Sequence, residues 1–359
     1  MFGQRLRLAR KKAGLSMNEL AGQASPKISA QAISKYESNK MMPSSAVLVS
    51  LGKALDVSLN FLLGAQVETL CNVEFRKHSK TSAKDRALAE ALLIEKVENY
   101  FAVEEILEIE PWHDPFAGLR YERVESYASI EEITQEVRSA WNLGIDPIPS
   151  LSALLEQKGI MVVEADLPER FHGLACTVKR TGERPDTDVV VVSSQTNVER
   201  RRFSLAHELA HRVIRDVNPD INLEKAMHRF AGAFLIPLEH LIAEAGKKRE
   251  KITYHEIVWL KKKYGVSAVA MLVRLGQVDI VSQKFVQYAF RSFAKTWRKV
   301  EPEPITDREG FGAFEKPQRF ERLVWRALGE ELISPVRAAQ LLKQPLDEIE
   351  KEIKGPNKQ

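Results

Sequence analysis

Two cysteines in 359 residues, Cys71 and Cys176, are too few and too far apart for a disulfide framework or a thiolate zinc site. That scarcity fits a reducing compartment, and a cytoplasmic protein is expected. No uninterrupted apolar run approaches the roughly 20 residues that a membrane span needs. No apolar signal core follows the basic N-terminus, so neither a secretory leader nor a membrane partner is expected. Internal repeats and low-complexity tracts are also missing, which excludes a repeat architecture. Charge is only weakly one-sided, at +4, so its placement rather than its sum must argue for nucleic acid. What is present is an ordinary 44% of hydrophobic residues, enough for cores in two or three domains.

The chemically pointed stretch runs from Arg202 to Ile214 and contains His207-Glu208-Leu209-Ala210-His211 in a run with helical apolar spacing. Four residues advance a helix by roughly 400°, so His207 and His211 leave one face a turn apart. Two neutral imidazoles so placed can grip one zinc ion, with Glu208 beside them as a candidate general base. A mononuclear catalytic zinc usually takes three protein ligands and keeps one position open. After His211 the chain breaks at Asp216–Asn222 and restarts through Leu223 to Pro237. Glu224 and His228 share a face of that second helix, and either could return to the metal. Phe230 and Phe234 fall on a neighbouring stripe that should pack into the core.

Upstream, residues 1–66 read as five short helices. Arg5, Arg7, Arg10, Lys11 and Lys12 line a basic amphipathic first helix that Gly14 ends. Ser16 and Glu19 have the spacing of a capping box for the second. Ser29 restarts the chain into a third helix through Glu37, and a fourth follows Pro43 from Ser45 to Leu55. Residues 67–124 read as a linker, with the basic run Arg76–Lys80 followed by one or two helices from Ala83 to about Glu110, stopped by Pro111. His78 and Lys80 could assist DNA binding, but a solvated linker face is the simpler account. Further on, helices are expected at 129–141 and 152–158, and strands at 159–165, 173–179 and 188–193. The region 301–359 reads as a small helical cap. Packing is the simplest role for it, and homodimerisation the alternative.

The N-terminal unit resembles the lambda-repressor-like, XRE-type helix-turn-helix family. The matching residues are Leu15-Ser16, Glu19-Leu20-Ala21, Ile33–Glu37, Pro43, Leu51, Ala54-Leu55 and Val57-Ser58. In that geometry the third helix enters the major groove of an operator. Gln31 can pair bidentately with adenine, and Ser34 and Lys35 are further readers. Asn18, Asn39 and Lys40 would touch phosphates. The family often has glycine after the Tyr-Glu pair. Ser38 and Asn39 stand there instead, and asparagine tolerates the left-handed conformation.

The second unit resembles the ImmA/IrrE metallopeptidases over residues 125–300. The resemblance rests on Arg202–His211, Glu224, Phe230-Ala231 and Phe234–Pro237, with Trp141–Gly144, Asp146–Ile148, Leu154–Glu156 and Gly159-Ile160 upstream, and Lys261–Ser267 and Arg274 downstream. It implies His207, His211 and Glu224 as zinc ligands and Glu208 as the catalytic base. Ala210 replaces a common glycine, and His228 replaces a usual asparagine, leaving its role open. His228, His172 and His240 are candidates for steadying an oxyanion. Cys176 reads as a small buried hydrophobe.

The expected architecture is multidomain. An all-α helix-turn-helix domain (1–66) and a helical linker (67–124) precede an α+β zincin-like metallopeptidase domain with a small mixed sheet (125–300) and a helical C-terminal cap (301–359). The expected function is a DNA-binding transcriptional regulator with a zinc-dependent endopeptidase domain. The resemblance makes its substrate a repressor or antitoxin-like protein, or the chain's own linker, in stress, mobile-element or toxin-antitoxin control. The alternative is a non-proteolytic repressor or antitoxin whose metallopeptidase fold senses a ligand or holds a toxin partner.

Overall fold

The computed structural model describes residues 2–64, 66–71, 82–110, 114–167, 173–182, 184–306 and 315–355. The basic run Arg76–Lys80 and His172 lie outside them.

Five short helices open the chain: α1 (Phe2–Ala13), α2 (Met17–Gln23), α3 (Ala30–Glu37), α4 (Ser45–Leu55) and α5 (Leu59–Leu63). The expected capping box forms, with Ser16 accepting from the Glu19 amide and Glu19 accepting from the Ser16 amide. Ser29 and Ser58 cap α3 and α5 with their hydroxyls alone, accepting from the Ala32 and Phe61 amides. Leu6, Leu20, Ile33, Leu51 and Leu62 meet in the centre with no exposed surface. Gly3 lets α1 settle onto the end of α3, because a methyl group there would lie 2.3 Å from the Glu37 carbonyl oxygen.

The span expected as a helical linker opens instead with a strand, β1 (Val67–Cys71). Its apolar pattern is too short to announce itself, and its partner lies more than a hundred residues away. The expected helical segment is a single 24-residue helix, α6 (Ala83–Ile106). It ends at Leu107, before Glu108 at φ 51° and short of Pro111. Its buried residues include Ala89, Ala91, Leu93, Val97, Phe101 and Val103, which lie on more than one face. A helix apolar on so much of its circumference needs neighbours on several sides. It has them in α1, in the sheet and in the C-terminal helices.

Helices α7 (Tyr127–Ala140) and α8 (Leu151–Gln157) follow, then β2 (Met161–Ala165), β3 (Gly173–Arg180) and β4 (Thr187–Ser193). The sheet order is β1-β3-β4-β2, with β2 parallel to β4 and the other pairs antiparallel, so the expected mixed sheet gains a fourth strand from the linker. Alternation along the strands divides the buried residues between two cores. Val162, Ala175, Val190 and Val192 face α9 (Val198–Val213) and α10 (Leu223–Leu235). Leu174, Cys176, Val178, Val189 and Val191 share the other core with α6 and the N-terminal helices. Burial pushes the Cys176 thiol up to about 12, as befits a small hydrophobe.

Helices α11 (Leu238–Ala245), α12 (Tyr254–Tyr264), α13 (Ala268–Gln277) and α14 (Gln283–Arg291) complete the first core. The C-terminal helices α15 (Arg319–Gly329), α16 (Pro335–Leu342) and α17 (Leu346–Lys354) join the second through Val324, Ala327, Ala338 and Ile349. The sequence divides into four consecutive units, but the structure has two cores with one sheet between them. No helix among the described residues is long and apolar enough to cross a membrane.

Charges fix α9 between these layers. Arg202 and Glu315 are both fully buried and form an ion pair. Glu315 also accepts from the amides of Leu151 (3.1 Å) and Ser152 (2.9 Å) at the start of α8. One turn earlier on α9, fully buried Glu199 meets fully buried Lys261 at 2.9 Å, and Lys261 also meets Glu301. Removing one member of a buried pair leaves the other desolvated and unmatched, which costs about 3–5 kcal/mol. Arg202→Ala should therefore lower the unfolding free energy in urea titration by about that amount. A loss below ~1 kcal/mol would show that the pair does not hold the helix.

Candidate metal centre

Asn197 starts α9 by accepting from the Arg200 amide, and Asn222 starts α10 by accepting from the Lys225 amide. The two helices pack together, and Leu209, Ala210, Ala226 and Phe230, all without exposed surface, belong to the core they share. Ala210, where a glycine is common, is absorbed into this contact. The packing turns the same side of each helix end toward a shared cleft.

Three side chains meet there. His207 Nε2 lies 3.2 Å from His211 Nε2 and 3.4 Å from Glu224 Oε2. One ligand atom from each of the three residues lies within 4.8 Å of the others, so the group could hold a metal ion. His207 is 14% exposed and Glu224 44%, which leaves one side of the group open to solvent. Glu208 is 8% exposed and sits on the adjoining flank of α9, under the start of β3. There a methyl group on Gly173 would come within 3.1 Å of the Val191 carbonyl oxygen and 3.8 Å of Glu208 Cγ. The missing side chain lets strand and carboxylate approach each other.

Of the two residues left open as a third partner, Glu224 reaches the histidines in the described group, and His228 does not join it. His228 is exposed, with its ring beside Phe203, stacked at 5.8 Å, and beside His207 at 4.8 Å. Crowding by protein pushes its imidazole below the ordinary range; the neighbouring His207 acts in the same direction and Glu224 opposes it. His240 is engaged elsewhere, 2.7 Å from the Tyr264 hydroxyl.

In the N-terminal unit, Gln31, Ser34 and Lys35 are exposed along α3 beside buried Ile33 and Tyr36. Asn18 and Lys40 are exposed as well. Asn39 adopts φ 55°, as an asparagine in place of glycine should. Its Oδ1 accepts from the Gly3 amide at 2.8 Å, so it also ties α1 to α3. Glu37 holds Arg10 through both guanidinium Nε and Nη2.

Sequence reasoning missed the charges that support the site helix. Glu199 and Arg202 occupy inward positions of α9, and charged residues at apolar-stripe positions are the signal that would have found them. It also passed over Gly173, whose meaning depends on a helix that comes after it.

A helix-turn-helix unit joined to a protease-like module is the class these features define. Residues 6–62 match the helix-turn-helix family. Residues 155–276 match the peptidase family described as the IrrE N-terminal-like domain. No curated protein matches the chain.

If the three residues hold the ion, His211→Ala should weaken metal retention by more than about 100-fold, since even outer partners of ligands contribute about 10–100-fold. Glu208→Gln should keep its metal. Elemental analysis after dialysis measures both, and full occupancy in the His211 variant would remove the group from consideration.

Proposed function

We propose that the chain is a DNA-binding regulator whose second module is a zinc-dependent endopeptidase, with His207, His211 and Glu224 as ligands and Glu208 as general base. The observation that carries this reading is the spacing of the three ligand atoms. Bonds of about 2.0–2.1 Å in a tetrahedron separate neighbouring ligand atoms by roughly 3.3 Å. The separations of 3.2 Å and 3.4 Å fit that spacing.

His207, His211 and Glu224 would hold the zinc ion, which would supply Lewis acidity toward a water and a peptide carbonyl. Glu208 would serve as the general base, accepting a proton from the attacking water and passing it to the leaving amine. His207 and His211 keep fixed positions because α9 is held by its buried ion pairs.

On the DNA side, Gln31, Ser34 and Lys35 read bases in an operator, while Asn18, Asn39 and Lys40 position the backbone. The pairing of a DNA reader with a peptidase makes a repressor or antitoxin-like protein the substrate class, in stress, mobile-element or toxin-antitoxin control.

Incubating the zinc-loaded protein and its Glu208→Gln form with neighbouring-gene products, then sequencing new N-termini, tests the peptidase. Cleavage by the first and not the second is expected. Intact products in both, with zinc bound and operator DNA retained, would leave the non-proteolytic regulator as the answer.

Gln31→Ala should cost about 1–3 kcal/mol at one base position of the operator, measured by binding to single-base operator variants. An unchanged preference would remove Gln31 from the reading set.

A further inference from the structure

A cavity of about 660 Å³ opens where the end of α6, the turn between β3 and β4 and the last turn of α9 come together. That volume is in the range of small-molecule sites. Six arginines line it, and five of them have a carboxylate partner. Arg120 and Arg212 share Asp188, and Asp114 also holds Arg120. Arg319 pairs with Glu104, Arg184 with Glu105, and Arg215 with Glu122.

Arg180, the last residue of β3, is the exception. Its guanidinium lies over the Phe101 ring at 3.8 Å, and its buried Nε has no hydrogen-bond partner. Among the described residues no carboxylate pairs with it, because Glu104 and Glu105 are taken by its neighbours. Burial pulls this guanidinium below its ordinary range and Arg184 adds to the effect, while Glu104 and Glu105 oppose it. A cation that has given up part of its hydration without gaining a carboxylate is half of an ion pair. Contact with the buried aromatic ring steadies the fork that would receive the other half.

We propose that the cavity binds a small organic molecule bearing one carboxylate, with Arg180 taking the carboxylate and the apolar walls taking the body. Ile109, Pro115, Ile160 and Met161 supply those walls. The remaining charges set the class of the ligand. Glu108, Glu110 and Asp186 line the cavity from exposed positions and have no basic partner among the described residues. They repel a polyanion such as a nucleotide, whereas one carboxylate matches the one unmatched guanidinium. A planar carboxylate also fits the two-pronged guanidinium.

The cavity borders both working parts of the chain. Arg212, in its lining, follows His211 on α9, and α6 is the helix on which α1 of the DNA-reading unit packs. Binding itself requires neither metal nor cleavage.

Saturation-transfer NMR on the full-length protein, with benzoate and hexanoate as probes, tests the site. Both carboxylates should receive saturation, and benzamide, which keeps the ring but not the charge, should not. Arg180→Gln should weaken benzoate binding by about 10-fold or more, the loss expected when a hydrogen bond to a charged group is removed. Arg180→Lys keeps the charge and the stem over Phe101, which protects the fold, but loses the fork, and its affinity should fall between the other two. Circular dichroism melting checks that each variant folds, and Arg180→Lys decides the matter if Arg180→Gln does not. Benzoate bound by Arg180→Lys as tightly as by the parent overturns the role of Arg180. No transfer to either carboxylate overturns the site. ATP or benzamide bound as tightly as benzoate overturns the ligand class.

Discussion

A guanidinium with no exposed surface, paired with a carboxylate that is equally buried, fixes the helix on which the proposed chemistry depends. Arg202 and Glu315 are far apart in sequence, and their pairing ties the site helix to the segment that leads into the C-terminal helices. The same carboxylate receives the first amides of α8. In return, Glu156 of α8 receives the Arg319 amide at the start of α15. Burying charge is expensive, so such an arrangement persists only when every member is matched. If His207 and His211 hold a metal, that rigidity matters, because a small drift of one against the other would break the spacing a metal requires.

The sheet carries the second constraint. Its central strand β4 is buried on both faces, and the two faces serve different cores. Below it lie α9, α10 and the cleft where His207, His211 and Glu224 meet. Above it lie α6, the C-terminal helices and, through α1, the DNA-reading unit. Arg5 of α1 reaches both Glu98 of α6 and the Val67 carbonyl of β1. The reader and the cleft are therefore parts of one packed body.

Local chemistry in the sequence foretold the local structure. The capping box at Ser16, the left-handed Asn39 and the face shared by His207 and His211 each follow from residues within a few positions of one another. Helix spacing alone left Glu224 and His228 both open as third partner, the family resemblance pointed to Glu224, and the crossing of α9 and α10 brings Glu224 beside His207. What stayed hidden depends on distant pairing. A five-residue strand after a helix bundle has no signature of its own, and a buried arginine looks like any surface arginine until its partner is known. The linker was read as a spacer for that reason, although it supplies one sheet strand and the long helix at the centre of the second core.

Because α1 packs on α6 and β1 lies within the sheet, the covalent thread between Cys71 and Ser82 is not what keeps the DNA reader in place. A chain nicked there would remain a single particle, held by the same apolar surfaces as before. Severing the polypeptide and releasing its N-terminal piece are thus separate events. The second awaits the opening of the shared core, so a cut made early can stay silent until something loosens the fold.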